Sequence, residues 1–242
     1  YPYSRLRAAN VLSTVACINF AATGKPKTFT FVSSTSALDT EHYVELSSSV
    51  TSRPDSKLRG VPEADNLMGS AKGLKTGYGQ SKWVGEKITM LAASRGLRAA
   101  IVRPGYVVGD SKSAVTNTDD FLFRLVKGCA QLGLVPDMHN TVNMVPVDHV
   151  ARITVLASLQ ALQGDGEPHP ATSAPVYHVT GHPSIRFSDL LQGLARYGWD
   201  VKTTDYVQWR AKLEEHVLKG EADNALFPLV STSCFTSWFT TI

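Results

Sequence analysis

From Leu6 to Ala22 the apolar residues Leu6, Ala9, Val11, Leu12, Val15, Ala16, Ile18 and Phe20 recur at helical spacing until Gly24-Lys25-Pro26 stops them, which predicts a helix. Lys27-Thr28-Phe29-Thr30-Phe31-Val32 follows, β-branched and aromatic, and reads as a buried parallel strand whose carboxyl end opens into Ser33-Ser34-Thr35-Ser36. Residues 39–76 show no clean period and carry Ser47-Ser48-Ser49, Arg53-Pro54-Asp55 and four glycines from Gly60 to Gly77, so they are expected to form a long functional loop. A second helix runs from about Gly79 to Arg95 on Trp83, Val84, Ile88, Met90, Leu91 and Ala92, with Gly96 as its stop. Leu97 to Val102 is a second buried strand, ending in Arg103-Pro104-Gly105-Tyr106.

Helix, strand, helix, strand in that order predicts an α/β fold with a parallel sheet and helices on both faces. Beyond Asp110 the pattern turns more helical. Thr116-Asn117-Thr118-Asp119-Asp120 precedes Phe121, Leu122, Leu125 and Val126 as an acidic cap precedes a helix. Another helix begins within Asn143–Ala151, Val176–Thr180 reads as a short strand, and Phe187–Tyr197 and Tyr206–Leu218 are amphipathic. The division expected from this is a sheet-bearing part over 1–110 and a smaller, mostly helical part over 111–242. Ser231 to Ile242 carries no charge and predicts no element.

With 43% hydrophobic and 19% charged residues in 242, the chain has the composition of a globular protein able to bury a real core. Its net charge of +3 is spread without an arginine-rich run, which argues against nucleic acid as a partner. No apolar run approaches the roughly 18 residues of a membrane span. Cys17, Cys129 and Cys234 are far apart and odd in number, and read as reduced, buried thiols of a cytosolic protein; no histidine or cysteine spacing suggests a metal.

Candidate chemistry centres on Thr76-Gly77-Tyr78-Gly79-Gln80-Ser81-Lys82-Trp83. In a helix Tyr78 and Lys82 lie one turn apart on the same face. A fixed cation beside a phenol favours the phenolate and brings an acid with a pKa near 10 toward use at neutral pH. With 8 Tyr and 12 Lys, chance supplies about 0.4 such pairs, so the spacing alone identifies nothing. Four consecutive hydroxyls at a strand end are either a self-bonded turn or part of a site. Asn10 is polar on a largely apolar helix and reads first as a solvated or locally bonded side chain. Asp148 and His149 read as a capping carboxylate and a partly exposed histidine.

Phe31–Ser36, Thr76–Trp83, Ile101–Asp110, Thr116–Phe121 and Asn143–Ala151, in this order, resemble the extended short-chain dehydrogenase/reductase superfamily. Closer still is the likeness to its thioester reductases and to the C-terminal reductase domains of fungal α-aminoadipate reductases, over about Tyr1 to Leu229. The resemblance implies a Rossmann-like, NADPH-dependent oxidoreductase that releases a carrier-bound aminoacyl thioester as an aldehyde, with L-2-aminoadipate as the acyl group and adenylation and carrier domains upstream. It assigns Tyr78 as general acid, Lys82 as its pKa-lowering neighbour and ribose ligand, Ser34 as the second oxyanion donor with Thr35 as alternative, and Pro104 and Gly105 to the nicotinamide pocket. It places Asn10 behind the lysine. The superfamily's Gly-x-x-Gly-x-x-Gly turn is absent from the 242 residues, so the chain is expected to lack the first half of the sheet, to bind NADPH poorly alone and to be inactive as a fragment. A nucleotide-sugar epimerase or dehydratase of the same superfamily, or a non-catalytic module on the same scaffold, are the alternatives.

Overall fold

The computed structural model describes residues 1–25, 27–51, 60–163, 172–182, 185–218 and 225–226. They fall into two units, Tyr1–Val107 with Val145–Thr180, and Val108–Met144 with Gly181–Ile242. The division is therefore discontinuous, and the expected single cut near 110 is corrected. Residues 145–180 return to the first unit because their strand completes its sheet and their helix covers one of its faces.

The first unit begins with a helical rod, α1, made of Tyr3–Leu6, a π-helical stretch Arg7–Leu12, and Ser13–Ala22. Ser13 and Thr14 turn their hydroxyls back onto the carbonyls of Ala9 and Asn10 at the end of that stretch, a competition with the main-chain ladder that loosens a helix locally. Strand β1, Phe29–Val32, runs into a 3-10 turn, Thr35–Leu38. Helix α2, Glu41–Thr51, then occupies ground that the sequence assigned to a loop. Helix α3 spans Gly77–Ser94, strand β2 Ala99–Pro104, helix α4 Val147–Gln163 and strand β3 Val176–Val179.

The three strands form a parallel sheet in the order β1-β2-β3, with Phe31 opposite Ile101 and Arg103 opposite His178. Every residue of β2 is buried, as a central parallel strand requires. Its parity sorts the core: Ala99 and Ile101 pack with Phe31, Met90 and Val176 on the α3 face, while Ala100 and Val102 pack with Val145, Val150, Ala157 and Val179 under α4. Ile101 and Val102 are fully buried, each worth about 1.5–3 kcal/mol relative to exposure. Helices thus cover both faces, as expected. Strand β2 extends through Arg103 and Pro104, which the sequence reading placed after it; the proline's missing donor falls at the end, where Gly105 N–H resumes the ladder to Val179 O at 3.0 Å.

Close approach of α3 to its neighbours depends on small residues. A Cβ on Gly77 would lie 2.3 Å from Tyr3 N, and one on Gly85 2.4 Å from the Phe31 ring.

In the second unit Asp120 caps Phe121–Leu132 by accepting Leu122 N–H, and Gly133 at φ +67° closes that helix. Leu134–Pro136 pairs in parallel with Lys202–Thr204, and helices Phe187–Arg196 and Tyr206–Leu218 stand where the sequence placed them. Leu125, Cys129, Leu191, Trp209 and Leu213 are fully buried, and burial pushes the Cys129 thiol up to about 12. Cys17 is exposed, which corrects its assignment to the core: it lies on the outer side of α1. Cys234 and the uncharged tail lie outside the described residues. No helix among the described residues is long and apolar enough to cross a membrane, and no group of histidine, cysteine, aspartate and glutamate among them could hold a metal.

Candidate active site

Thr76 starts α3 from an extended conformation, its hydroxyl accepting Gly79 N–H at 3.1 Å. That cap fixes where Tyr78 enters the first turn. One turn later Lys82 reaches back along the same face, and its ammonium sits 5.6 Å from the centre of the Tyr78 ring and 5.3 Å from that of Phe31. Nζ donates to Val32 O at 2.9 Å, the last carbonyl of β1. Burial lowers the Lys82 pKa, and the Glu86 carboxylate one turn further along opposes the shift. Tyr78 itself is 43% exposed, open to a substrate.

Ser34 follows directly from β1. It caps the 3-10 turn with an extended backbone, its Oγ accepting Ser36 N–H at 3.1 Å and donating to Ser36 Oγ at 3.2 Å. Of the four hydroxyls, those of Ser34 and Ser36 bond within the turn, while Ser33 Oγ is buried without a partner among the described residues; the turn is held against the first turn of α3. A Cβ on Gly79 would lie 2.6 Å from Ser36 O, so this approach requires glycine. Thr35 is the first residue of that 3-10 turn and half-buried. Pro104 and Gly105 lie at the carboxyl end of β2, where ligands of parallel sheets bind. The fold thus brings the ends of β1 and β2 and the start of α3 to one side of the sheet.

Asn10 is corrected in detail. Its Nδ2 donates to Ser81 Oγ at 2.9 Å, and Ser81 Oγ donates to Tyr78 O at 2.8 Å, so the π-helical turn of α1 bonds to the backbone of the tyrosine instead of to Lys82. Ser81 is fully buried, and the sequence offered no sign of this relay. Asp148 forms an i,i+4 ion pair with Arg152 at 3.6 Å, and His149 is exposed.

Sequence reasoning also missed a buried polar cluster behind Lys82. Arg103 and Glu86 are both 0% exposed. The guanidinium spans the carboxylate, with Nε at 3.0 Å from each oxygen and Nη2 at 2.7 Å from Oε2. Arg103 Nη1 lies 3.0 Å from His178 Nε2. Burial, then the guanidinium charge, pushes the His178 imidazole down to about 4, with Asp65 opposing. Because arginine only donates, neutral His178 accepts at Nε2 and carries its proton on Nδ1.

Asp65 belongs to the loop that approaches this cluster. Its Oδ1 accepts Tyr43 O–H at 2.5 Å and Leu67 N–H at 2.7 Å, and its carbonyl accepts Arg103 Nη2 at 3.4 Å. Burial, reinforced by this hydrogen bond, raises the Tyr43 pKa. Leu67 is held at φ +61° and fully buried, with its carbonyl taken by Trp83 Nε1 at 2.7 Å. A left-handed leucine persists only where the surroundings over-determine it, as Asp65 and Trp83 on its two main-chain groups and Tyr43 of α2 packed beside it do here.

Comparison with known proteins adds to this geometry. The chain is 54% identical over 230 residues to the L-2-aminoadipate reductase large subunit of Candida glabrata, covering 95% of this chain and 16% of that protein. It is 51% identical over 230 residues to L-2-aminoadipate reductase of Saccharomyces cerevisiae, with the same shares. Among solved structures it resembles the terminal R domain from the myxalamid PKS-NRPS biosynthetic pathway at a TM-score of 0.76 and 29% identity, covering 96% of this chain and 54% of that one. The chain spans about one sixth of the length of those curated relatives. A family model described as male sterility protein, an NAD-binding family, matches residues 1–154, well over half of the sequence, and the chain belongs to that family.

Proposed function

We propose that these residues form the reductase part of an enzyme that uses NADPH to reduce a carrier-bound aminoacyl thioester to an aldehyde, with L-2-aminoadipate as the acyl group. The observation that carries this reading is Lys82, a partly buried ammonium lodged between the Val32 carbonyl and the Tyr78 ring, one turn below a phenol that remains open to solvent. Identity of 54% and 51% to aminoadipate reductases supports the choice of acyl group.

Bound NADPH would supply the hydride. The nicotinamide end suits the residues present: an ammonium has three donors, and Val32 O is the acceptor that the described residues offer Lys82, leaving capacity for a ribose hydroxyl. Pro104 and Gly105 would border the ring at the end of β2. The pyrophosphate end has no counterpart, since no Gly-x-x-Gly-x-x-Gly turn occurs in the sequence.

As the thioester carbonyl carbon gains the hydride, its π electrons move to oxygen. Tyr78 O–H would donate to that oxyanion, as would Ser34 Oγ–H once it turns from Ser36 Oγ, and each such donor contributes about 3–4 kcal/mol in acyl chemistry. Transfer of the Tyr78 proton gives a hemithioacetal, and the Lys82 charge stabilises the phenolate left behind. The hemithioacetal then breaks its C–S bond: the oxygen re-forms the carbonyl of the aldehyde, and its proton ends on the departing pantetheine thiol.

The test is a chimera in which these residues replace the matching stretch of the Saccharomyces cerevisiae enzyme. Aldehyde release from a loaded carrier is expected, and Tyr78→Phe is expected to lower kcat by about 100-fold or more with the carrier affinity unchanged. Full activity of the Tyr78→Phe chimera would remove the phenol from the mechanism.

A further inference from the structure

Lys82 and Glu86 stand one turn apart on α3, the spacing at which a lysine and a glutamate ordinarily pair. They do not pair here. The Lys82 ammonium instead points to Val32 O and the Tyr78 ring, while both Glu86 oxygens are bound by Arg103. Glu86 is fully buried, so its carboxylate requires a cation, and the nearest alternative to Arg103 along its own helix is Lys82. The guanidinium competes well because its planar fork meets both oxygens at once, which an ammonium cannot do.

We propose that Arg103 is a positioning residue: by occupying Glu86 it keeps Lys82 directed at Tyr78 and the end of β1. This rests on the reductase reading only in so far as Lys82 serves Tyr78 in catalysis; the competition for Glu86 stands on geometry alone. Arg103 is itself placed by its neighbours. Its Nη1 donates to His178 on β3 and its Nη2 to the Asp65 carbonyl, so the guanidinium is held from three elements and the loop ahead of α3 is fastened in the same step. Besides Lys82 and Glu86, the titratable groups packed on the cluster among the described residues are Tyr78, Arg103, His178, Asp65, Tyr43 and Glu63, whose carboxylate accepts His178 N–H at 2.6 Å.

Loss of Arg103 would leave Glu86 with an unmatched charge and draw Lys82 toward it, away from the phenol. Loss of both partners would leave Lys82 where it is, since replacing a buried ion pair by apolar groups is often tolerated. A residue that serves stability alone predicts something different, namely a less stable protein with unchanged chemistry in every folded molecule.

The experiment has two arms. In the 242-residue chain, lysines labelled by reductive methylation with carbon-13 are titrated by NMR. In Arg103→Met the Lys82 signal is expected to titrate at least about tenfold later in proton concentration than in the parent, and to lose its contact with the Tyr78 ring; both return in Arg103→Met/Glu86→Met. An unaltered Lys82 signal in folded Arg103→Met overturns the proposal. Should Arg103→Met fail to fold, Arg103→Lys keeps the charge but frees one carboxylate oxygen, and an unaltered signal there has the same force.

In the chimera, Arg103→Met is expected to lose about 100-fold in kcat with a smaller change in KM, its alkaline limb moving to higher pH, and the double variant is expected to recover to within about fivefold. A double variant as slow as the single one overturns the proposal. An unsubstituted chimera without activity overturns the reductase reading and the catalytic service of Lys82, while the NMR arm still decides whether Arg103 directs that lysine.

Discussion

Gly79→Ala sets two opposing effects against each other at the point where the serine turn meets α3. In an unconstrained helix interior, alanine is better than glycine by about 0.8–1.0 kcal/mol. At Gly79, however, the new Cβ would stand 2.6 Å from Ser36 O, with Thr76 Oγ1 at 3.2 Å and Leu74 Cδ2 at 3.5 Å behind it. A carbon and an oxygen settle at about 3.3 Å, so the helix and the turn must part by about 0.7 Å. The obstructing atom is a main-chain carbonyl in a short turn capped by Ser34, and it has little freedom to withdraw. Overpacking of this kind costs about 1–3 kcal/mol, which cancels or outweighs the propensity gain, so a net loss of up to about 2 kcal/mol is expected. The displacement also parts the turn that carries Ser34 from the helical turn that carries Tyr78, and a misplacement near 1 Å costs about 100-fold where two groups grip one oxygen. Gly193→Ala is the internal control, since its helix interior position has nothing within 4 Å of the new Cβ, and it is expected to gain up to about 1 kcal/mol. Urea unfolding of the chain gives the stabilities, and single-turnover aldehyde formation in the chimera gives the rate. Gly79→Ala matching Gly193→Ala in both measurements would refute the argument.

Two further expectations follow from the sequence and the buried cluster. The 242-residue chain, lacking the glycine-rich phosphate turn, is expected to give no saturable heat with NADPH below about 100 µM in isothermal titration, and low-micromolar binding would contradict this. His178 titrates near 4 in the folded chain against an ordinary 6.5. Between those values the unfolded chain binds a proton that the folded one refuses, so the stability this group contributes is complete above about pH 6.5 and lost as pH falls toward 4. The loss amounts to about 3 kcal/mol at most. In His178→Gln, which keeps an acceptor for Arg103, the fall in unfolding free energy from pH 7 to pH 4 is expected to be smaller by about that amount, and parallel curves would exclude His178 as the cause.

Most of the scaffold was legible because the apolar runs are local. Lys27–Val32 and Leu97–Val102 declared themselves as parallel strands, although β1, at the edge of the three strands, buries only Phe31 and leaves Val32 exposed, and the spacing of Tyr78 and Lys82 placed both on one helical face. Helix α2 was not legible: the run Ser47-Ser48-Ser49 reads as loop chemistry, although Tyr43 and Leu46 three residues apart supply the buried side. The cluster behind Lys82 was hidden for a different reason. Arg103 looks like a strand terminator until Glu86 is known to face it across seventeen positions of sequence, and Glu86 looks like the solvated partner of Lys82 until Arg103 is known to hold it. Nor does anything in Asn66-Leu67-Met68 announce a left-handed leucine, because the groups that hold it come from other elements.

The same pair bears on how the sheet chooses its register. Alternation along β2 sends Ala99 and Ile101 toward α3, and Arg103 with them, while Ala100 and Val102 go to the face under α4. The apolar residues do little to enforce that choice, since alanine, isoleucine and valine are acceptable on either side. A slip of one position would exchange the faces and put the guanidinium among Val145, Val150 and Ala157, where an unpaired charge costs several kcal/mol. Against this, the net worth of the Arg103–Glu86 pair to stability is small, because its attraction largely repays the desolvation of the two groups. Its larger effect is on the alternatives. A strand whose hydrophobic pattern leaves both registers open is committed by one arginine, and the commitment sets the end of β2, with Pro104 and Gly105, beside the start of α3.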